Sequence, residues 1–511
     1  MLSKVKSMAL NGLEGYLVEI ETFISSGMPE FEIVGLGDTT VKEAKKRVEA
    51  AIKNSKIDFP TQKILINLAP ANLRKVGSHF DLAILVGILI ATNKIPQIDT
   101  NKLAQTIFIG ELSLEGKLNR INGILAMCLE AKELGIKRVI LPKANANEAG
   151  IIEELDIIPI ENVKELIKYL NNEIKIPKVH TEIRKNKKKY EIDFSEVKGQ
   201  ENVKRALEIT ATGGHNCLLI GSPGTGKTMM SKRLNTILPE LTLEEAIETT
   251  KIYSISGELN KDGLIIERPF RMPHHTVTRN TIIGGGKNPK PGEISLAHNG
   301  IMFLDELPEF NRNTLEALRE PLENKEIMIN RIYGNYIFPC NFIFIASMNP
   351  CPCGYYGDEE KQCKCSPQEI HRYLSKISGP LLDRIDLHIE VKRPKYEKIS
   401  SKIKSETSEE IRKRVCIARE IQRKRYEFEK IKLNAELNGN LISKYCKLDE
   451  KGEEILEKAF KNLKLSVRAY EKILKIARTI ADLEQKTDIE YKHIAEAIQY
   501  RSLDRRYDNW I

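Results

Sequence analysis

At 511 residues the chain is too long for one hydrophobic core, and about 150 residues per domain divides it into roughly three. Hydrophobic residues at 41% and charged residues at 30% exclude disordered, fibrous and collagen-like classes and describe a soluble globular protein. The net charge of +9, from 80 basic against 71 acidic residues, permits a polyanionic partner without demanding one.

The N-terminal stretch MLSKVKSMALNGLEGYLVEI lacks the apolar h-region of a signal peptide. The longest apolar run, LAILVGILIA at 82–91, is too short to span a bilayer, so a cytoplasmic location is expected. In that compartment thiols stay reduced, and paired cysteines point to metal or redox chemistry before disulfides.

Residues 1–172 alternate β-rich runs (YLVEIETFI, KILINLA, TIFIGELSL, RVILP) with helical patterns (VKEAKKRVEAAIKNS, ILAMCLEAKEL, VKELIKYLNN). That alternation predicts an α/β domain. A charged, proline-containing stretch over 173–193, which includes RKNKKK at 184–189, reads as a basic linker. A second α/β unit spans 194–392, and from 393 to 511 long charged amphipathic helices predict a helical domain. RKNKKK and IRKRVCIAREIQRKRY (411–426) each fit a phosphate-backbone footprint or, equally, a solvated linker and a solvated helix face.

The second unit carries the chemistry. NCLLIGSPGTGKTMMSKRLNTIL (216–238) reads as an apolar strand, a glycine-rich turn and a helix. Gly221, Ser222, Pro223, Gly224, Thr225 and Gly226 form a turn whose backbone N–H groups face inward at a helix N-terminus, an arrangement that cradles phosphates. Lys227 is placed to reach the β- and γ-phosphates and Thr228 to ligate Mg2+, which makes ATP and Mg2+ the expected cofactors.

GIMFLDELPEF (300–310) is a second apolar strand that ends in two carboxylates. Asp305 is expected to hold the magnesium shell and Glu306 to polarise the attacking water. A third strand, NFIFIASMN (341–349), ends in Asn349, whose amide could position the water or touch the γ-phosphate. Three strands with polar tips define one crevice at the carboxyl edge of a parallel sheet.

GSPGTGKT, PGEISLAHNGIMFLDELPEF, LREPLE, SMNPCPCGYYGD and ISGPLLDRIDLHIEV together resemble the YifB/ComM family of magnesium-chelatase-like AAA+ ATPases. The resemblance implies a Lon-protease/ribosomal-S5-like α/β domain over 1–172, an AAA+ P-loop core over 194–392 and a helical lid over 393–511. It implies a homohexameric ring and, from its ComM members, a helicase that drives branch migration on DNA in natural transformation. It also assigns Arg384 in LLDRIDL as an arginine finger that reaches a neighbouring subunit, and Arg468 in LSVRAYEKIL as a sensor-2 arginine of the lid. The magnesium-chelatase likeness leaves a second reading open, a ring that remodels a protein partner.

The N-terminal region is similar to the proteolytic domain of Lon, most clearly over 109–145. Such a protease needs a nucleophilic serine and an activating lysine. KVGSHFDL puts His79 in the serine position, with Ser78 beside it, and INGILAM has Leu125 and Met127 where the lysine would lie. Proteolysis is therefore not expected.

PCPCGYYGDEEKQCKC (350–365) holds four of the nine cysteines, as Cys351-x-Cys353 and Cys363-x-Cys365 separated by nine residues. Four thiolates suit a closed, structural Zn2+ site, with an iron–sulfur centre or an empty thiol cluster as rivals. The spacing is tighter than that of zinc ribbons. Two segments rich in glycine, proline and basic residues, 257–293 and the hairpin pattern at 324–338, offer Lys287, Lys290, Lys325 and Arg331 as candidate DNA contacts. His274 and His275, being adjacent, point apart and suit a structural or pore-loop role better than a metal site.

Overall fold

The structure, a computed structural model, describes the whole chain except residues 97, 182–189, 261–262, 332–333, 395, 398–404, 464 and 502–511. The basic run at 184–189 therefore lies outside the described residues. No helix among the described residues is long and apolar enough to cross a membrane.

The N-terminal unit is built on a seven-stranded mixed sheet. Its first two strands, Leu2–Asn11 and Glu14–Ser25, pair antiparallel along their full length, from Leu2 opposite Phe23 to Asn11 opposite Glu14. The Asn11-Gly12 turn allows that register because Gly12 sits at φ +66°, a region open to glycine without a Cβ clash. Outward from this hairpin the sheet runs through Lys63–Ala69 to Glu30–Val34 on one side. On the other it runs through Thr106–Phe108, Arg138–Pro142 and Asp156–Ile160, all parallel. The apolar run singled out in the sequence becomes the helix Asp81–Ala91, which packs against the first two strands and the helix Thr39–Asn54. It is buried nearly all round, so it shows no amphipathic period.

The second unit carries a five-stranded, all-parallel sheet. Its spatial order is Phe270–Arg271, Ile301–Leu304, Ile343–Met348, Cys217–Ile220 and Leu387–Glu390. The middle three strands are buried apolar runs, as a sheet covered on both faces requires. Neighbours in space are not neighbours in sequence, so the strand ends that carry Gly221, Asp305 and Asn349 converge on one edge although far apart along the chain.

C-terminal helices Ser408–Arg425, Glu450–Leu463, Val467–Leu483 and Tyr491–Gln499 do not form a core of their own. Their apolar faces join Val203, Leu207, Leu234 and Ile237 of the second unit in one hydrophobic cluster. The second basic run lies on the first of these helices. In the helix Ser408–Arg425, Arg414 pairs with Glu208 and Glu406, and the half-buried Arg419 donates to the Ala211 carbonyl. Arg425 pairs with the fully buried Asp482. Three of the arginines are thus paired within the fold, while Lys413, Arg423 and Lys424 stay on the exposed side of the helix.

Candidate nucleotide-binding site

The loop after Cys217–Ile220 is shaped by close approach. A Cβ on Gly221 would lie 2.3 Å from the Val391 carbonyl oxygen, so the backbone can pass under the last strand only with glycine there. Gly226, at φ +87°, turns the chain into the helix Lys227–Ile237. Thr225 closes the turn by donating its hydroxyl to the Ser222 carbonyl at 2.9 Å. Lys227 is buried, and desolvation pushes its pKa down. Its ammonium donates to the carbonyls of Gly221 (2.6 Å) and Ser222 (3.1 Å) and to Asn349 Oδ1 (3.2 Å).

Thr228 donates its hydroxyl to Asp305 at 2.6 Å. The same carboxylate accepts from the Ser347 hydroxyl and, at 3.1 Å, from the Glu306 backbone N–H. Glu306 is exposed and sits at φ +54°, a left-handed conformation that costs a non-glycine residue about 1 kcal/mol. Pro223 to Met229, Asp305, Glu306, Ser347, Met348 and Asn349 line one crevice of about 420 Å³.

Four predicted strand-tip and loop residues, Lys227, Thr228, Asp305 and Asn349, thus meet through direct contacts, and Glu306 shares their crevice. The hydroxyl of Thr228, the carboxylate of Asp305 and the hydroxyl of Ser347 offer the hard oxygen donors that suit Mg2+. Thr228 and Asp305 would hold it, and such an ion neutralises charge on the β- and γ-phosphate oxygens. Ser347 was not singled out in the sequence, because a serine inside an apolar strand carries no motif. Gln200 was also missed. At φ +64°, its amide reaches the Thr225 carbonyl (3.5 Å) and the Lys392 carbonyl, placing it against the phosphate loop.

Arg384 and Arg468 do not line this crevice. Both line a second cavity of about 680 Å³, between the other end of the sheet and the helical lid. Arg384 pairs with Glu323, and the largely exposed Arg468 lies 3.7 Å from Asp383. Lys325 lines this cavity too, where burial lowers its pKa, so it does not sit with the other candidate DNA contacts. Those other groups do come together: Arg331 donates to the Gly286 carbonyl at 3.2 Å, tying the paired strands Glu326–Arg331 and Gly334–Pro339 to the turn that carries the exposed Lys287 and Lys290. His274 is exposed and bonds Thr276, and its ring lies 4.1 Å from that of His275 between centroids, so the two rings meet rather than point apart as the sequence suggested.

In the N-terminal unit Ser78 donates its hydroxyl to Glu111, and His79 is buried beside Phe80. Leu125 and Met127 are core residues. Their segment is docked on the second unit: the Gly123 N–H donates to Ser254 Oγ at 2.8 Å, and Ser254 in turn donates to the buried Glu148.

All four clustered cysteines meet after the Ile343–Met348 strand, with their sulfurs within 4.8 Å of one another. Cys128, Cys217, Cys340 and Cys446 are buried among apolar residues, as packing cysteines, whereas Cys416 is exposed.

A parallel sheet in this order, with a glycine-rich loop, a Thr–Asp pair and a polar third strand tip, defines a P-loop ATPase core of the AAA+ type. Comparison with known proteins agrees. The family model described as "Magnesium chelatase, subunit ChlI" matches residues 193–399. "Subunit ChlI of Mg-chelatase" matches 20–145, and the C-terminal ChlI model matches 405–501. The competence protein ComM of Haemophilus influenzae is 44% identical over 99% of this chain and 98% of its own length. The uncharacterized protein YifB of Escherichia coli is 42% identical over the same shares. A Lon protease of Mycoplasmopsis agalactiae is 26% identical over 36% of this chain and 20% of its own length. The chain belongs to the YifB/ComM family of magnesium-chelatase-like AAA+ ATPases.

Proposed function

We propose that the protein is a cytoplasmic, ATP-hydrolysing ring motor that acts on DNA, a branch-migration helicase of ComM type serving recombination of incoming DNA in natural transformation. The observation that carries the ATPase part is the crevice itself. Lys227, Thr228, Asp305, Glu306 and Asn349 meet around one space with the donors and carboxylates that phosphoryl transfer needs.

Beside Lys227, the crevice lining offers no arginine to meet the charge that develops on the transferred phosphoryl. Arg384 and Arg468 lie together in the other cavity, as they would if one protomer's arginines completed its neighbour's site in a homohexamer. The DNA part draws on likeness to ComM and on Lys287, Lys290 and Arg331, exposed on two joined pairs of strands. The ChlI likeness favours a second reading, in which the same motor remodels a protein partner.

DNA-stimulated ATPase and unwinding of a branched substrate decide between the two. On the DNA reading, forked DNA raises turnover, and reversing Lys287, Lys290 and Arg331 to glutamate weakens binding. Removing one cation that pairs with a DNA phosphate should flatten the slope of log K against log salt by about 0.7 to 0.9. Unchanged affinity and slope would sink the DNA assignment and leave the protein-remodelling reading.

A further inference from the structure

The four clustered cysteines have more geometry than a chance grouping requires. Cys351 and Cys353 lie 3.4 Å apart at sulfur, Cys351 and Cys363 3.7 Å, and Cys353 and Cys363 3.6 Å. A disulfide would bring two sulfurs to about 2.05 Å. Tetrahedral bonds of about 2.3 Å to one ion instead set thiolates near 3.8 Å apart, close to what is found. An iron–sulfur cluster interposes several irons and bridging sulfides, and needs its outer thiolates farther apart than a set confined within 4.8 Å. Backbone N–H groups also point at the sulfurs, from Cys353 to Cys365 and from Cys365 to Cys363, each at 3.4 Å. Such donors steady a thiolate and orient it.

The loop that these cysteines close is pressed on the phosphate loop. Gly354, at φ +84°, lies so near Pro223 that an added Cβ would sit 2.6 Å from its Cδ. The Asp358 carboxylate, its side chain 4% exposed, accepts a hydrogen bond from Ser222. From the far side, Arg393, just past the last strand of the sheet, pairs with Asp358 at 3.4 Å and with Glu360 at 3.2 Å, and lies over the Tyr355 ring. Residues 354–362 are therefore wedged between the phosphate loop and the end of the sheet, while the cysteines tie both ends of the wedge.

We propose that Cys351, Cys353, Cys363 and Cys365 hold one structural Zn2+, and that this ion locks Gly354 and Asp358 against Pro223 and Ser222, so that metal occupancy sets nucleotide affinity. The coupling rests on reading the crevice as the nucleotide site; the metal site does not. Loading releases one proton from each of four thiols and leaves a centre of net charge 2−, flanked by Lys361 and Lys364. Four protein ligands fill a tetrahedral ion, so the zinc has no open position for water or phosphate and its role is mechanical. All-sulfur tetrahedral ligation selects zinc over magnesium, so the two ions do not compete for one site.

The test uses full-length protein in three forms: unaltered, the pair Cys363→Ser with Cys365→Ser, and Asp358→Ala. Metal content is measured by plasma emission, and affinity is measured with a fluorescent ATP analogue in excess Mg2+. The expected result is one zinc per unaltered chain and none in the cysteine pair, with affinity weakened about tenfold in the pair. Asp358→Ala keeps its zinc and weakens affinity to a similar extent, which separates the strut from any general unfolding caused by metal loss. Unaltered protein without zinc, or with iron in its place, overturns the metal assignment. Zinc present in unaltered protein with normal affinity in Asp358→Ala overturns the strut. An unaltered protein that holds zinc but binds no nucleotide overturns the reading of the crevice and with it the coupling, while the metal site stands.

Discussion

The phosphate crevice and the segment around Ser78 and His79 in the N-terminal unit hold similar inventories, each with a hydroxyl, carboxylates and a lysine. Both sets are hydrogen-bonded, and they differ in whether the groups also line an open space. In the crevice Glu306 is exposed, and Thr228, Asp305 and Lys227 face a space of about 420 Å³. Around Ser78 its hydroxyl is taken by Glu111, and Asp81 is held by Arg47 at 2.6 and 3.0 Å. Lys75 is fully buried and donates to the Pro70 carbonyl, and His79 is buried too. The same residue types can drive chemistry in one region and only fill a core in the other, because reactivity needs groups that remain open to a ligand.

The largest expected effect tests the open side of that contrast. Lys227→Ala and Glu306→Gln should each lower ATP turnover by about 10³-fold or more, and Glu306→Gln should still bind nucleotide. Steady-state phosphate release beside a binding titration checks both, and near-normal turnover in either variant would remove the crevice from the reaction. Arg384→Ala comes next, with an expected loss of about 10³-fold. If Arg384 serves a neighbour, mixing Arg384→Ala with Lys227→Ala in stable hetero-oligomers should recover part of the activity that each lacks alone. No recovery would confine the arginine to an internal role with Glu323.

Smaller effects belong to the closed side. Ser78→Ala should leave ATP turnover unchanged, and neither protein should cut an unfolded substrate such as casein; cleavage abolished by that substitution would reverse the contrast. His79 should show itself only in acid. Burial pushes its pKa down from an ordinary 6.5 to about 4, so the folded protein keeps the ring neutral while the unfolded chain takes up a proton. The stability linked to this residue is therefore complete above pH 6.5 and is lost as pH falls toward 4, by about 3 kcal/mol in all. Melting curves of the unaltered protein should drop more steeply than those of His79→Gln across that window. Parallel curves would mean that the imidazole is not buried neutral.

Much of the candidate site was legible because it is local. Glycine-rich loop, threonine and following helix are contiguous, and an apolar strand that ends in two acids announces its own tip. Elements of the N-terminal unit were legible where the periodicity was clean, as in Lys63–Ala69 and Thr39–Asn54. Asp81–Ala91 was not, since burial on all sides erases the pattern that marks a helix. The basic run 411–426 showed the limit of charge counting. Whether an arginine faces solvent or Asp482 depends on a partner 57 residues away.

The sequence by itself determined the ligand class of the crevice, because the backbone turn, its ammonium and its magnesium donors lie in one short stretch whose chemistry survives any packing. Only the tertiary structure decided where Arg384, Arg468 and Lys325 go, that Ser347 backs Asp305, and that the cysteine loop presses on Ser222 and Pro223. These contacts join strands and helices through the order of the sheet and the docking of the lid. Distance along a chain carries little information about distance across a fold, and burial, which sets whether a charged or nucleophilic group can act, exists only once the core has closed.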